Sequence, residues 1–445
     1  MGATPTAADL EQLVREYRND HPRSAELHRT ATGFFAARGA THFARVQVPF
    51  RPYITHAKGS RKWDVDGHEY IDYVMGHGAL MLGHSHPDIV RAVQDQAAKG
   101  LHYGDNHPLE LEWSQLIRRL MPAAERIEFC ASGQEANAMA LRLCRAVSGK
   151  KKVIRIRGNY HGWLDELANL ELPGVVAPEV VLVPPNDLAA LEARLAERDI
   201  AVLLMEGGGG FLAGKVPVPV SYYKALPELA KKYDTIFMLD EVVTGFREAS
   251  GGWQAVVGIT PDITSIGKAV SGGMASGAVL GRADLFQPLD PDRAAKVIPH
   301  GGTWNAVPIS AAAGIAACNL YLDGAPQRAA LAAGLAIRDG CNEALQRRGV
   351  SGRMYGRSVL HLYFGPVDTP AGAESPQTDW TKLFDPAVGK ATARLDIHLL
   401  QRGIASLRGE VLLLSSVHTS EDIERTVTAF DQSIAAMLDE GTLTS

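Results

Sequence analysis

The sequence predicts an α/β protein: a large domain built on a doubly wound, mostly parallel sheet, and a smaller α+β domain. Three observations predict it. From about residue 86 to 320, short β-branched runs alternate with amphipathic stretches, the pattern of strand–helix–strand crossovers. From about 326 the pattern changes to a long alanine-rich helix, two short strands and a closing helix. The 445 residues amount to roughly two to three domains' worth of chain, with enough core that no disulfide or metal staple is needed. The expected boundaries are 1–65 for an N-terminal helical arm and the start of the small domain, 66–325 for the large domain, and 326–445 for the C-terminal small domain.

Taken in order, Ala7–Asn19 and Ser24–Arg38 carry apolar residues at helical spacing (Leu10, Leu13, Val14, Tyr17; Leu27, Phe34, Phe35), interrupted at His21-Pro22. Between Lys62 and Tyr73 alternating apolar residues flank Asp66-Gly67, a hairpin signal. The large domain's strands are expected at Arg126–Phe129, Lys152–Arg155, Val180–Val183, Ile200–Met205, Thr235–Leu239, Ile263–Ile266 and Ala278–Leu280, with a helix at Glu135–Ala146. The C-terminal part should hold helices at Gln327–Arg347 and Ser420–Leu438 and strands at Val359–Tyr363 and Val411–Leu414. Gly365–Thr378, rich in Pro, Gly and Ser, reads as a surface loop.

Composition excludes several classes. With 45 Lys+Arg against 50 Asp+Glu, and no basic run longer than Lys150-Lys151-Lys152, the chain lacks the cationic surface that nucleic acid requires. No run approaches the ~18–20 apolar residues of a membrane span, and the first twenty residues are polar, so neither insertion nor export is expected. Met1 to Thr6 fits the loose N-myristoylation pattern without a second anchoring signal. Cys130, Cys144, Cys318 and Cys341 form no CxxC pair, which reads as reduced, buried thiols in a cytoplasmic protein with no metal site.

In an open α/β sheet, ligands lie beyond the carboxyl ends of the strands. Those ends read Ala131 to Asn137, Asn159 to Trp163, Glu206-Gly207, Asp240-Glu241-Val242 and Gly267-Lys268-Ala269. Ser132-Gly133-Gln134 opens a helix, so free N–H groups, the helix dipole and a hydroxyl converge where a phosphate could sit; a plain Ser N-cap has the same residues. Asp240 and Lys268 each follow an apolar strand, where charges are rare unless paired or functional. A desolvated lysine can supply a neutral amine for Schiff-base chemistry. A phosphate cradle, an aromatic at Tyr160, a strand-end acid and a strand-end lysine are together the parts that hold pyridoxal phosphate.

The run Leu239-Asp240-Glu241-Val242-Val243-Thr244-Gly245-Phe246-Arg247, with Pro261-Asp262-Ile263 and Gly267-Lys268, resembles the signature of the class III, fold type I pyridoxal-phosphate aminotransferases. Asp64-Val65-Asp66-Gly67, Gly83-His84-Ser85-His86-Pro87, Ser132 to Ala136, Tyr160-His161-Gly162-Trp163 and Gly302-Thr303-Trp304-Asn305 resemble the same family, especially its branch containing glutamate-1-semialdehyde 2,1-aminomutase. The resemblance covers about residues 50 to 430. It implies that Lys268 carries the cofactor as a Schiff base and afterwards moves the substrate proton. It also implies that Asp240 pairs with the ring nitrogen, that Tyr160 and Val242 flank the ring, and that Ser132, Gly133 and Gln134 hold the phosphate. Glu206 would lie near the ring oxygen, and Thr303 would reach the phosphate of a second subunit, which makes a homodimer the expected unit.

Two departures stand out: Gln134 where the family usually has Thr, and Gly207-Gly208-Gly209-Gly210-Phe211 where it continues with Pro. For the substrate, Arg408 occupies the C-terminal loop in which the family commonly presents a carboxylate-binding arginine; an exposed loop arginine is the alternative. Arg45, Arg51 and His77 are further candidates. The leading expectation is transfer of an amino group from an amino acid, β-amino or aromatic, to a 2-oxoacid. Intramolecular transfer of the aminomutase kind, or epimerisation, is the alternative, although Ser406-Leu407-Arg408-Gly409-Glu410 departs from the aminomutase's usual stretch. A non-catalytic scaffold is disfavoured by the intact Lys268, Asp240 and Thr303.

Overall fold

The computed structural model describes residues 7–36, 38–40 and 49–444; Arg45 and the Met1–Thr6 pattern lie outside the described residues. The chain forms two compact units, one of Gly78–Leu82 with Pro87–Arg328, the other of Met1–His77, Gly83–His86 and Ala329–Ser445.

The larger unit is built on a seven-stranded sheet in the order Arg126–Cys130, Gly277–Gly281, Ile263–Gly267, Ile236–Glu241, Ile200–Glu206, Lys152–Ile156, Val180–Val183. Only Gly277–Gly281 runs antiparallel to its neighbours. All seven residues of Ile200–Glu206 are buried, as a strand covered on both faces requires. Ala201, Val202 and Leu204 join one core with Ala136, Ala140, Leu141 and Cys144 of the helix Gly133–Ser148. Ile200, Leu203 and Met205 join another core with Tyr222, Tyr223, Leu226 and Ala230 of the helix Val220–Lys232.

The smaller unit holds two sheets. Ile54–Lys58, Arg61–Asp64 and Glu69–Asp72 pair antiparallel, and Ile404–Ala405 adds parallel to the last of these. Gly67, with φ at +96°, makes the tight return of the Asp66-Gly67 hairpin. Gly352–Gly356, Val359–Phe364 and Val411–Leu413 form the second sheet. The helices Ala7–Asp20 and Pro22–Ala31 meet at His21, with Pro22 at the first helical position, where its missing N–H costs nothing. The second helix is shorter than its apolar spacing predicts: it stops at Ala31 ahead of Gly33, and Phe34 is 83% exposed. Leu13, Tyr17, Phe50, Tyr70, Ile397 and Leu400 pack together, and the Tyr17 hydroxyl donates to the Phe50 carbonyl at 3.0 Å. Among the described residues no helix is long and apolar enough to cross a membrane.

Candidate active site

Neighbouring carboxylates on one strand point to opposite faces, and the Asp240-Glu241 pair uses both. Glu241 is buried among the Trp253 and Gln254 N–H groups, the Gln254 amide and the Thr244 hydroxyl, which makes it a fastening for the segment at 252–254. Asp240 turns to the other face. Its Oδ2 accepts from Asn137 Nδ2 at 2.8 Å and from His161 Nδ1 at 2.7 Å, and its Oδ1 accepts from the Val242 N–H at 3.0 Å. Burial lowers the basicity of His161, and the donor role of Nδ1 toward Asp240 fixes the tautomer of the neutral ring.

Glu206, Asp240 and Ser265 are register partners across three adjacent parallel strands. Glu206 is almost fully buried, and its carboxylate accepts three backbone N–H groups: Tyr160 at 2.9 Å, Phe211 at 2.6 Å and Ala213 at 2.9 Å. Burial pushes its carboxyl up to about 8; the three donors pull against that, and the Asp240 charge adds to it. Two of the three donors come from an unusual turn in which Phe211, Leu212 and Ala213 all have left-handed φ, between +47° and +61°. Each such non-glycine residue is strained by roughly 1–2 kcal/mol, and the carboxylate holds the turn against that strain. The Phe211 ring meets the Tyr160 ring edge-on, 6.0 Å between centroids, and Tyr160 is 38% exposed.

Lys268 directly follows Ile263–Gly267, again with left-handed φ, at 47°. Desolvation lowers the pKa of its amine from the ordinary lysine value; the carboxylates of Asp240 and Glu206 oppose this shift and Arg247 adds to it. Part of the amine is therefore neutral and nucleophilic at lower pH than in a free lysine.

Ser132 caps the helix Gly133–Ser148, its hydroxyl accepting from Glu135 N–H at 3.3 Å, while the Gly133 and Gln134 N–H groups have no acceptor within the helix. A Cβ on Gly133 would lie 2.5 Å from Val242, and one on Gly267 3.2 Å from the same side chain, so Val242 is wedged between the helix start and the Lys268 strand. Gln134 does more than replace a hydroxyl. Its Oε1 accepts from the Trp163 N–H at 3.2 Å and its Cβ would lie 2.7 Å from a side chain at Gly162, so it braces the Tyr160–Trp163 segment.

Ser132, Gly133, Gln134, Tyr160, Glu206, Asp240, Val242, Lys268 and Thr303 all belong to the larger unit, and all but Thr303 are joined by the contacts above. Gly301 to Trp304 is exposed in the single chain. The smaller unit holds Arg51, His77 and Arg408. Arg51 is already engaged, by Asp396 at 3.1 Å and by the Ser406 carbonyl at 2.8 Å. Arg408, two residues beyond Ser406, is half-buried with φ +64°, and its guanidinium has no partner among the described residues. Asp20, His21 and His68 approach metal-ligand spacing, but both His21 ring nitrogens are taken, by the Tyr17 carbonyl and the Tyr70 hydroxyl. Sequence reasoning missed Asn137, His161 as a partner of Asp240, and the left-handed turn.

The donor set suits pyridoxal phosphate: unsatisfied N–H groups at a helix start for a phosphate, an acid for a ring nitrogen, and a desolvated lysine for an aldehyde. Comparison with known proteins points the same way. The family model for aminotransferase class-III matches residues 42–357. A glutamate-1-semialdehyde 2,1-aminomutase of Natranaerobius thermophilus is 33% identical over 408 residues, spanning 86% of this chain and 90% of that protein. Among solved structures, a β-phenylalanine aminotransferase from Variovorax paradoxus superposes with a TM-score of 0.87 at 28% identity, covering 96% of this chain and 97% of that one. An omega-transaminase from Sphaerobacter thermophilus does so at 0.84 and 27%, covering 93% and 97%. The chain therefore belongs to the aminotransferase class-III family and is a pyridoxal-phosphate-dependent enzyme of fold type I.

Proposed function

We propose that the enzyme is an aminotransferase that moves the amino group of a β-amino or aromatic amino acid to a 2-oxoacid. The observation that carries this reading is Lys268, a desolvated amine facing Asp240 and Glu206 at the strand ends. Bound pyridoxal phosphate supplies the electron sink for charge that develops at the substrate carbon bearing the amino group. Around it, Ser132, Gly133 and Gln134 would hold the phosphate, Asp240 would take the ring nitrogen, and Tyr160 and Val242 would flank the ring. Lys268 would carry the proton to and from the carbon that bears the amino group.

For the substrate carboxylate, Arg408 is the better-supported candidate, because Arg51 is paired with Asp396. The preference for a bulky, apolar donor rests on the Phe211 ring beside Tyr160. The second reading, aminomutase chemistry, is favoured by relatives of that name at 33% identity. A panel of amino donors with pyruvate and 2-oxoglutarate separates the two: keto product with aminated acceptor supports transfer, and an isomerised product without acceptor supports the mutase. In the same panel, Arg408→Ala should cost about 2–4 kcal/mol, roughly 30- to 1000-fold in kcat/KM, for amino acids. The corresponding decarboxylated amines should be nearly indifferent. Equal losses on both would assign Arg408 a general structural role.

We further propose a homodimer in a reducing, cytoplasmic compartment. Exposed Thr303 and the 63% exposed Trp304 support the first, and four free, buried cysteines support the second. If Thr303 reaches the partner's phosphate, cofactor removal should weaken the dimer in light scattering, since a bridging ligand stabilises the assembly by mass action. A fully active monomer would refute it.

A further inference from the structure

Asn137 lies one helical turn beyond the phosphate-cradle candidates, is 1% exposed, and has every polar atom satisfied. Its Nδ2 donates to Asp240 Oδ2 and to the His161 carbonyl, both at 2.8 Å, and its Oδ1 accepts from the Ser265 hydroxyl. The amide cannot turn over, because the Asp240 oxygen and the His161 carbonyl only accept, and a flipped Asn137 would set its own oxygen against both. One side chain thus ties together the helix Gly133–Ser148, the strand Ile236–Glu241, the neighbouring strand at Ser265, and the segment that carries Tyr160.

The two Asp240 oxygens are loaded unequally. Oδ2 accepts from Asn137 and His161, while Oδ1 accepts only the Val242 N–H and keeps a lone pair in reserve. The carboxylate cannot rotate about its axis without abandoning one of these three donors.

We propose that Asn137 is a positioning residue: with His161 it locks the Asp240 carboxylate so that Oδ1 meets the cofactor's ring nitrogen. This rests on the reading of Asp240 as the ring-nitrogen partner, and it goes beyond that reading in assigning which oxygen acts and what fixes it.

The test reads the bound cofactor rather than turnover. Asn137→Asp is nearly isosteric and sets a second carboxylate against Asp240 Oδ2; two carboxylates in contact share a proton, so one negative charge is spread over the pair and less of it rests on Asp240. A ring nitrogen without its anionic partner gives up its proton more readily and withdraws less electron density, so the Lys268 nitrogen joined to the cofactor keeps its own proton to higher pH. The midpoint of the holoenzyme's visible absorbance titration should rise by about one pH unit or more, and the cofactor dissociation constant by about tenfold. Asn137→Ala, which removes both donors and adds no charge, should shift both in the same direction by less, and it decides the matter if the Asp variant folds poorly. A lowered melting temperature in both variants with an unmoved midpoint and unchanged cofactor affinity would overturn the proposal and leave Asn137 a packing residue. No amino donor or acceptor enters these measurements, so a failed transfer assay would refute the proposed reaction without touching this result.

Discussion

Lys268→Ala is expected to lower turnover by at least about four orders of magnitude, because it removes a covalent attachment point and a proton carrier in one change. The local electrostatics make the loss hard to compensate: Arg247, the cation whose charge acts on Lys268, is fully buried and donates to the Gly78 carbonyl. Asp240 and Glu206 would then face the site without an amine between them. Borohydride reduction followed by peptide mass spectrometry gives a second readout. The wild-type protein should carry the cofactor's mass on the peptide containing Lys268, and the variant should lose it in the wash. Turnover at the wild-type rate in Lys268→Ala would end the assignment.

Asp240→Asn should lower turnover by about three orders of magnitude, equivalent to roughly 4 kcal/mol of transition-state stabilisation. The geometry adds a cost beyond the lost charge. Both Asp240 oxygens already accept N–H donors, so the new NH2 group must oppose either Val242 N–H or the Asn137–His161 pair. His161 could accept by changing tautomer, but Asn137 could not. About 1–3 kcal/mol of folding stability should go with the activity, measurable as a lower midpoint of denaturation. Unchanged kinetics at saturating cofactor would show that the ring nitrogen has another partner.

The sheet was legible because its strands are short runs of Val, Ile and Leu bounded by polar residues, so Val180–Val183 appears with the predicted bounds and the others differ by only one or two residues at an end. The candidate site was legible for the same reason: Asp240, Glu206 and Lys268 interrupt apolar runs where a charge is conspicuous, and the strands end at or beside them. What stayed hidden depends on partners distant in sequence. Arg51 is a plausible substrate ligand until Asp396, 345 residues later, is seen to occupy it. The helix Pro386–Gln401 buries Arg394, Asp396 and His398, so its core-facing stripe does not read as apolar. Asn137 did leave a trace: it heads the line of Ala140, Leu141 and Cys144 at helical spacing, a polar residue in a buried row, and such a residue needs a partner. Gln134's side-chain role had no comparable signal, since its partner is the main chain of Trp163.

Three successive side chains in left-handed backbone reverse a familiar rule of protein engineering. Across most of this fold, a change to glycine would loosen the chain and lower its stability. At Phe211, Leu212 and Ala213 it would relieve strain of roughly 1–2 kcal/mol at each position. Three such gains in thermal robustness therefore lie in the turn that donates to Glu206, and the one at Phe211 would delete the aromatic ring beside Tyr160. An engineer who screened this enzyme for heat tolerance alone would be drawn to these positions and would loosen a turn fastened to the buried Glu206 carboxylate.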